Sequence, residues 1–531
     1  MPFSQGQAKE AGAGMTGGNA GLPETTMSYW IESEPMPEFG PLEEDADADV
    51  AIVGAGITGL TAAWLLAKEG ARVVVLEAGR VLQGTTGHTT AKVTAQHHLI
   101  YDELIAHFGH EKAKLYYEAN RDAMAFIQGR VREWNIDCDW AEEDAYVYVT
   151  DNRSVEKLEK ELRAYDALGI EGELVAELPV SVDAAAALVM RKQARFHPLR
   201  YMRRLLDEAV RLGVRVHENT TADGVDTSGS RPVVLTTGGR KVRCSAVAAA
   251  SHYPFIDKTG LLFARLHIDR SYVVAIRPKQ PYPGGMYISA DEPRRSLRLA
   301  GSPDQPLVLV GGENHRIGMA DDAERRYTAL AEFGERLFGA ESVAYRWSAQ
   351  DIIATDKLPY VGPPDKDKPI VLVATGYRKW GMTGGTAAAM LIADLALGRG
   401  NRYAELFAPA RFHADPDLRT LVSTNAKVAG SLIAGKLEMP GRTPESLAPD
   451  EGAVVELNGK RAGAYRDQHG ELHLVDTTCT HMGCEVKWNP GERTWDCPCH
   501  GSRFDFKGNV VEGPAMKPLA KLEPQPAQAE N

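Results

Sequence analysis

The chain has 531 residues, 44% hydrophobic and 25% charged, the profile of an ordinary globular protein. That length exceeds what one hydrophobic core supports and implies two or three domains. A formal charge of −12 without any cluster of Lys and Arg excludes a nucleic-acid-tracking surface, and no apolar run approaches the ~20 residues that span a bilayer.

The first 26 residues are rich in Gly, Ala, Ser and Thr and lack the basic and apolar regions of a signal peptide. They read as a disordered tail, expected to extend to residue 44, and a cytoplasmic address follows by default. Val50 to Val53 is a short apolar run that reads as a buried strand, followed by Gly54, Gly56 and Gly59. A helix over Leu60 to Lys68, a stop at Gly70 and a second strand over Arg72 to Leu76 complete a dinucleotide-binding βαβ unit. In such a unit Gly54 permits the tight turn, Gly56 lets the backbone approach a pyrophosphate, and Gly59 allows close helix packing. The helix N-terminus, with Ile57 and Thr58, offers partial positive charge to phosphate. Glu77 is spaced to accept hydrogen bonds from a ribose diol, which does not choose between FAD and NAD.

A small polar loop from Gly84 to Lys92 follows. Asp102 to Trp134 and Asn152 to Gly169 carry helical periods with many exposed charges. His197-Pro198 opens a helix running to about Leu212, Val214 to His217 reads as a strand, and Val233 to Thr237 pairs with Lys241 to Ala250 as a hairpin. From Ala264 to Val310 the pattern alternates, as in Ser271 to Ile276 and Pro306 to Val310, and predicts an antiparallel sheet in a second domain. Ile370 to Gly376 is another buried strand, and it feeds Gly381-Met382-Thr383-Gly384 and an Ala-rich helix, repeating the strand, glycine turn and helix logic of the N-terminal unit. Asp415-Pro416 has the form of a helix start, with an apolar stripe from Leu418 to Ile433, and Met439 to Pro449 is a Pro-containing linker.

Six cysteines are too few for a secreted disulfide scaffold. Cys138 and Cys244 stand alone and read as buried filler. Cys479, Cys484, Cys497 and Cys499 crowd the last tenth of the chain, among short alternating strands. The pattern is Cys479-x-His481, fifteen residues, then Cys497-x-x-His500. By residue type alone, an iron–sulfur site, a tetrahedral zinc site and a disulfide knot all remain open.

The paired loops resemble Rieske [2Fe–2S] proteins. The resemblance implies Cys479 and Cys497 as ligands of one iron, and His481 and His500 as ligands of the other. It also implies a disulfide between Cys484 and Cys499, a hydroxyl at Ser502 directed at the cluster, and a covering loop at Gly513-Pro514-Ala515. Phe504 replaces a Tyr of high-potential relatives. The first 415 residues resemble the glycine/D-amino-acid oxidase (DAO) superfamily of FAD enzymes. This rests on Gly54, Gly56, Gly59 and Glu77, the Gly84 to Thr90 loop, Asp356 to Gly362, Gly376, and Gly381 to Gly385.

The resemblance implies FAD contacts at Gly54, Gly56, Ile57, Thr58, Gly59, Glu77, Ala78 and Arg80. Further contacts are implied at Thr85, Thr86, His88 and Thr89, and at Gly376, Gly381, Met382, Thr383 and Gly384. His88 is expected close to the flavin ring.

The expected architecture is an α/β FAD-binding Rossmann-like domain (45–125, 190–258, 350–415) and an antiparallel substrate domain (126–189, 259–349). A docking helix and linker (416–449) and a small all-β Rieske domain (450–531) follow. No second dinucleotide unit is present, so the reductant is expected to be a small amine or amino acid oxidised at the C–N bond. Electrons would pass from flavin to cluster and on to a one-electron acceptor protein or quinone. An electron-transfer module serving a partner oxygenase or respiratory acceptor, or a redox sensor, are the alternatives. Arg298 is the candidate for holding a substrate carboxylate.

Overall fold

In the computed structural model, residues 21–317, 322–411 and 441–523 are described. The helix expected over Leu418 to Ile433 lies outside them.

The glycine-rich unit forms as its sequence dictates. Strand Val50–Val53 is wholly buried and pairs in parallel with Val73–Leu76, with helix Ile57–Lys68 between them. Gly54 has φ +105°, and a Cβ there would lie 2.5 Å from the carbonyl oxygen of Ala250. A Cβ on Gly59 would lie 1.9 Å from the Gly54 carbonyl oxygen, so only glycine lets the helix sit this close to the turn. The sheet continues in parallel through Arg215–His217 on one side and through Ala246–Ala249 and Val371–Thr375 on the other, with Tyr360–Gly362 as an antiparallel edge. Helix Gly381–Ala396 packs beside Ile57–Lys68, and the approach is close: a Cβ on Gly385 would lie 2.8 Å from Thr58 Oγ1.

A nine-stranded, largely antiparallel sheet forms the second layer. Its long ribbon pairs Leu266–Pro278 with Ala340–Ala354, and Gln305–Arg316 lies on the other side of Leu266–Pro278. Helix Ala323–Phe338 covers one face through Tyr327 and Leu330. Two expected boundaries fall inside strands. Ala186–Arg195 pairs along its length with Ala141–Val149, which carries it past 189/190, and Ala340–Ala354 stays registered past 349/350. Continuous ladders outweigh the composition shifts on which those boundaries were placed.

The tail expected over 1–44 is also corrected, because from residue 21 onward it is built into the fold. Ser28 caps helix Tyr29–Ser33 and donates to the Gly87 carbonyl, and Trp30, 1% exposed, donates from Nε1 to the Thr89 carbonyl at 2.7 Å. Two buried donors thereby hold the 84–90 loop. The expected hairpin ends at Lys241–Arg243, since Ala246–Ala249 leaves it for the parallel sheet.

The C-terminal region is all β. Glu451–Leu457, Lys460–Arg466 and Leu472–Val475 form one antiparallel sheet, and Lys487–Asn489, Thr494–Asp496, Arg503–Asp505 and Val510–Glu512 form another. No helix of the described residues is long and apolar enough to cross a membrane.

Candidate functional site

Two clusters of side chains carry the chemistry. At the carboxyl edge of the parallel sheet, Glu77 is oriented by backbone donors: Ala55 N–H bonds its Oε2 at 2.8 Å and Gly79 N–H its Oε1 at 3.0 Å. Burial pushes the Glu77 carboxyl up, and these bonds pull it back. Ile57 N–H donates to Thr86 Oγ1 at 3.1 Å, which ties the 84–90 loop to the start of the first helix. Thr58 Oγ1 bonds the Tyr377 hydroxyl at 3.1 Å, and Thr383 Oγ1 donates to the Thr94 carbonyl at 3.1 Å. Neither the Ile57–Lys68 nor the Gly381–Ala396 helix has a side-chain cap at its N-terminus. The dipole and the N–H groups left without an N-cap side chain at two neighbouring helix starts, with a fixed carboxylate beside one, fit a dinucleotide. Gly376 (φ +82°) turns the chain toward the second helix, which Gly381, Met382 and Gly384 begin.

Three expected contacts take other forms. Arg80 is engaged by Glu38 and Glu218, each at 2.9 Å, with Ala78 exposed beside it. Half-buried His88 receives no bond from the nucleotide turn. Its Nδ1 lies 2.9 Å from the Gly84 carbonyl, and burial pushes its pKa down while Glu512, Arg503 and Glu492 of the C-terminal sheet act on it. Thr85 and Thr89 flank it in the same loop. Arg298 is a correction. It is 1% exposed and spends its donors on the carbonyls of Leu299, Thr90, Ala91 and Phe196, stacked over Trp30. With Nε and Nη1 committed to backbone carbonyls and Nη2 also reaching the Phe196 carbonyl, the buried guanidinium presents no free two-donor fork to a substrate carboxylate.

Arg378 went unnoticed in the sequence and has the opposite character. Burial pushes its pKa down, and among the described residues its Nη1 is buried without a hydrogen-bond acceptor. Beside it, Lys379 Nζ pairs with Asp351 at 2.8 Å, and Ser271 Oγ donates to the same carboxylate at 2.7 Å.

The second cluster is in the C-terminal sheets. Cys479 and Cys497 are free thiols, each 2% exposed. They share a hydrogen bond that pulls the Cys479 thiol down and pushes the Cys497 thiol up. The rings of His481 and His500 stand 5.0 Å apart at 87°, and among the described residues the Nδ1 atom of each is buried with no hydrogen-bond partner. Cys484 and Cys499 are joined in a disulfide that closes the two loops. Ser502, fully buried, accepts from Ala515 N–H at 3.0 Å and also bonds Cys479. Two buried thiols and two orphaned imidazole nitrogens on facing loops are the donor set a [2Fe–2S] cluster of mixed ligation needs.

The FAD dependent oxidoreductase (DAO) family matches residues 49–395, and the Rieske [2Fe-2S] domain family matches residues 440–523. The chain belongs to the DAO family of FAD oxidoreductases. It carries a fused Rieske domain and takes FAD and a [2Fe–2S] cluster as cofactors. It is 49% identical over 500 residues to the Rieske 2Fe-2S iron-sulfur protein YhfW of Bacillus subtilis (strain 168), covering 94% of this chain and 98% of that one. To the gamma-glutamylputrescine oxidoreductase of Escherichia coli (strain K12) it is 25% identical over 430 residues, 75% of this chain and 95% of that one. Among solved structures, glycine oxidase from Geobacillus kaustophilus superposes with a TM-score of 0.58 at 19% identity, over 69% of this chain and 100% of that one.

The Rieske domain is seated on the flavoprotein body by named contacts. Gln350 Nε2 donates to the Gly501 carbonyl at 2.8 Å, Arg270 Nη1 to Asp496 Oδ2 at 2.6 Å, and the Tyr327 hydroxyl to Glu492 at 2.6 Å. Burial pushes the Asp496 carboxyl up, but Arg270 and Arg503 outweigh it and hold it at about 2. Asp257 Oδ2 accepts from His481 Nε2 at 2.9 Å. Gln350 and Arg270 are cross-strand partners on one face of the Leu266–Pro278/Ala340–Ala354 ribbon. Asp351 and Ser271, which hold Lys379 just ahead of Gly381, are on its other face.

Proposed function

We propose that this oxidoreductase dehydrogenates a small amine or amino acid at the carbon next to nitrogen and delivers the electrons through its own Rieske cluster to an external one-electron acceptor. The observation that carries the reading is the seating of the ligand loops. His481 and His500 are 8% exposed at the side chain and 6% exposed overall, respectively, and the loop of His500 bonds one face of a single β-ribbon. The reverse face of that ribbon holds the segment leading into the Gly381 helix start. FAD supplies the hydride acceptor, and the cluster supplies a one-electron outlet.

The chain's own part is to bind and orient. Glu77 and the two helix starts are suited to the dinucleotide, and the 84–90 loop, buckled by Ser28 and Trp30, to one side of the ring. Arg378 takes the role first given to Arg298, because its unpaired Nη1 is suited to a substrate carboxylate. Names of similar proteins agree in class: a gamma-glutamylputrescine oxidoreductase and a glycine oxidase both act on compounds with an amine nitrogen.

Anaerobic mixing with a panel of amines and amino acids tests this, reading flavin absorbance and cluster EPR together. Substrate that bleaches the flavin and then produces the reduced-cluster signal is the expected result. Bleaching with the cluster left oxidised overturns the relay, and no bleaching across the panel overturns the substrate class.

A further inference from the structure

Asp257 stands at no motif position. It lies in the connection that leaves the carboxyl end of strand Ala246–Ala249, on the flavoprotein body, and it is 6% exposed. Among the described residues its carboxylate has one side-chain partner, Nε2 of His481, 224 residues away. Tyr253, four positions earlier, sets its ring edge-on to the same imidazole, with centroids 6.2 Å apart. A buried carboxylate is costly unless it is bonded to a group that needs it.

We propose that Asp257 is a positioning residue for the cluster: by accepting a hydrogen bond from Nε2–H of His481 it fixes that ligand's orientation and holds the cluster's reduction potential down. Two physical steps lead there. A proton held on Nε2 leaves the lone pair on Nδ1, the atom that is buried and, among the described residues, without a hydrogen-bond partner. The carboxylate also places negative charge next to a ligand of the cluster in a site from which water is excluded. The oxidised cluster carries one more positive charge than the reduced one, so a nearby anion favours the oxidised form and lowers the potential. Because Asp257 belongs to the body and His481 to the small domain, docking itself would tune the centre, keeping the potential lower than the Rieske loops alone would set. The inference rests on the Rieske donor set and is independent of the substrate.

The test is an EPR-monitored dithionite and ferricyanide titration of the full-length protein with its cluster in place, at one pH, without substrate. Asp257→Asn keeps the shape and removes the charge. It should raise the ratio of reduced to oxidised cluster at a given solution potential at least tenfold, about 59 mV for a one-electron couple. Asp257→Glu, which restores the carboxylate, should stay closer to the parent than the Asn variant does. If the Asn variant does not retain its cluster, Asp257→Ala carries the test and should shift in the same direction. A loaded Asn or Ala variant that titrates at the parent's potential overturns the proposal, as does a Glu variant displaced as far as Asn.

Discussion

Replacing Arg270 by Met isolates what holds the Rieske domain on the body. Arg270 is 2% exposed at its side chain and its Nη1 meets Asp496 Oδ2 at 2.6 Å, with Asp496 18% exposed. Removing one partner of a buried ion pair costs about 3–5 kcal/mol, mostly because the other charge is left uncompensated. Here Asp496 would retain Arg503, whose Nε lies 3.5 Å away, and the Asn489 amide at 2.9 Å. The expected loss is therefore smaller, about 2–3 kcal/mol, or a factor of roughly 30 to 140 in the ratio of docked to undocked domain. Undocking exposes His481 and His500, so the readout is the rate at which a strong iron chelator strips the cluster from folded protein. That rate should rise by a comparable factor in Arg270→Met, and Arg270→Met with Asp496→Asn should recover part of it. A variant stripped as slowly as the parent refutes the reasoning, as does a double variant that behaves as the simple sum.

The four ligand positions predict two irons and two acid-labile sulfides per chain, and Cys497→Ser should lose them while the protein stays yellow; metal and sulfide analysis decides it. Gly59→Ala puts a methyl 1.9 Å from the Gly54 oxygen, and overpacking of this kind costs about 1–3 kcal/mol or more, so the FAD-to-protein ratio and Tm should both fall. Arg378→Met should raise KM for amino-acid substrates by at least tenfold, with a smaller effect on amines that lack a carboxylate, the loss expected of one charged hydrogen bond at ~1.5–3 kcal/mol. Burial holds His97 and His197 at about 3, so their folded pKa lies below the unfolded value. Such groups take up protons on unfolding once the pH falls below about 6.5, and stability should drop by about 2–3 kcal/mol between pH 7 and 5.5. Urea midpoints at the two pH values measure it, and a His97→Gln variant should show a shallower drop.

What was legible in the sequence is what local spacing encodes. A buried strand, a turn that only glycine can make and a helix follow one another within about twenty residues. The cluster loops likewise carry their ligands in adjacent positions. Contacts made by the tertiary fold leave no such trace. Arg270 and Asp496 are 226 residues apart, and Asp257 and His481 are 224 apart, with no periodic or motif signal at either end. Arg298 misled because an Arg in an alternating strand gives no sign of which acceptors surround it: here they are carbonyls from positions 90, 91 and 196, far away in sequence. The described segment from residue 21 was hidden because Glu and Pro dominate its composition up to residue 44, whereas its anchoring comes from scattered long-range bonds: Ser28 and Trp30 to the 84–90 loop, Phe39 N–H to Glu218 and Leu42 N–H to Thr220.

The contacts that seat the Rieske domain are directional: an amide to a carbonyl, a guanidinium to a carboxylate, a phenol to a carboxylate and an imidazole to a carboxylate. Apolar surfaces can slide against each other at little cost, but each of these bonds weakens steeply with misalignment. A slip of one residue along the ribbon would strand several buried polar groups at once, each costing about 1–3 kcal/mol. Directional contacts of this kind select one registered position over many similar ones. The proposed electron relay would gain from that selection, because its rate would depend on the distance between centres and a fused domain held in one register would present the same distance at every turnover. The ribbon is thus both one edge of the nine-stranded sheet and the template against which the cluster loops are placed.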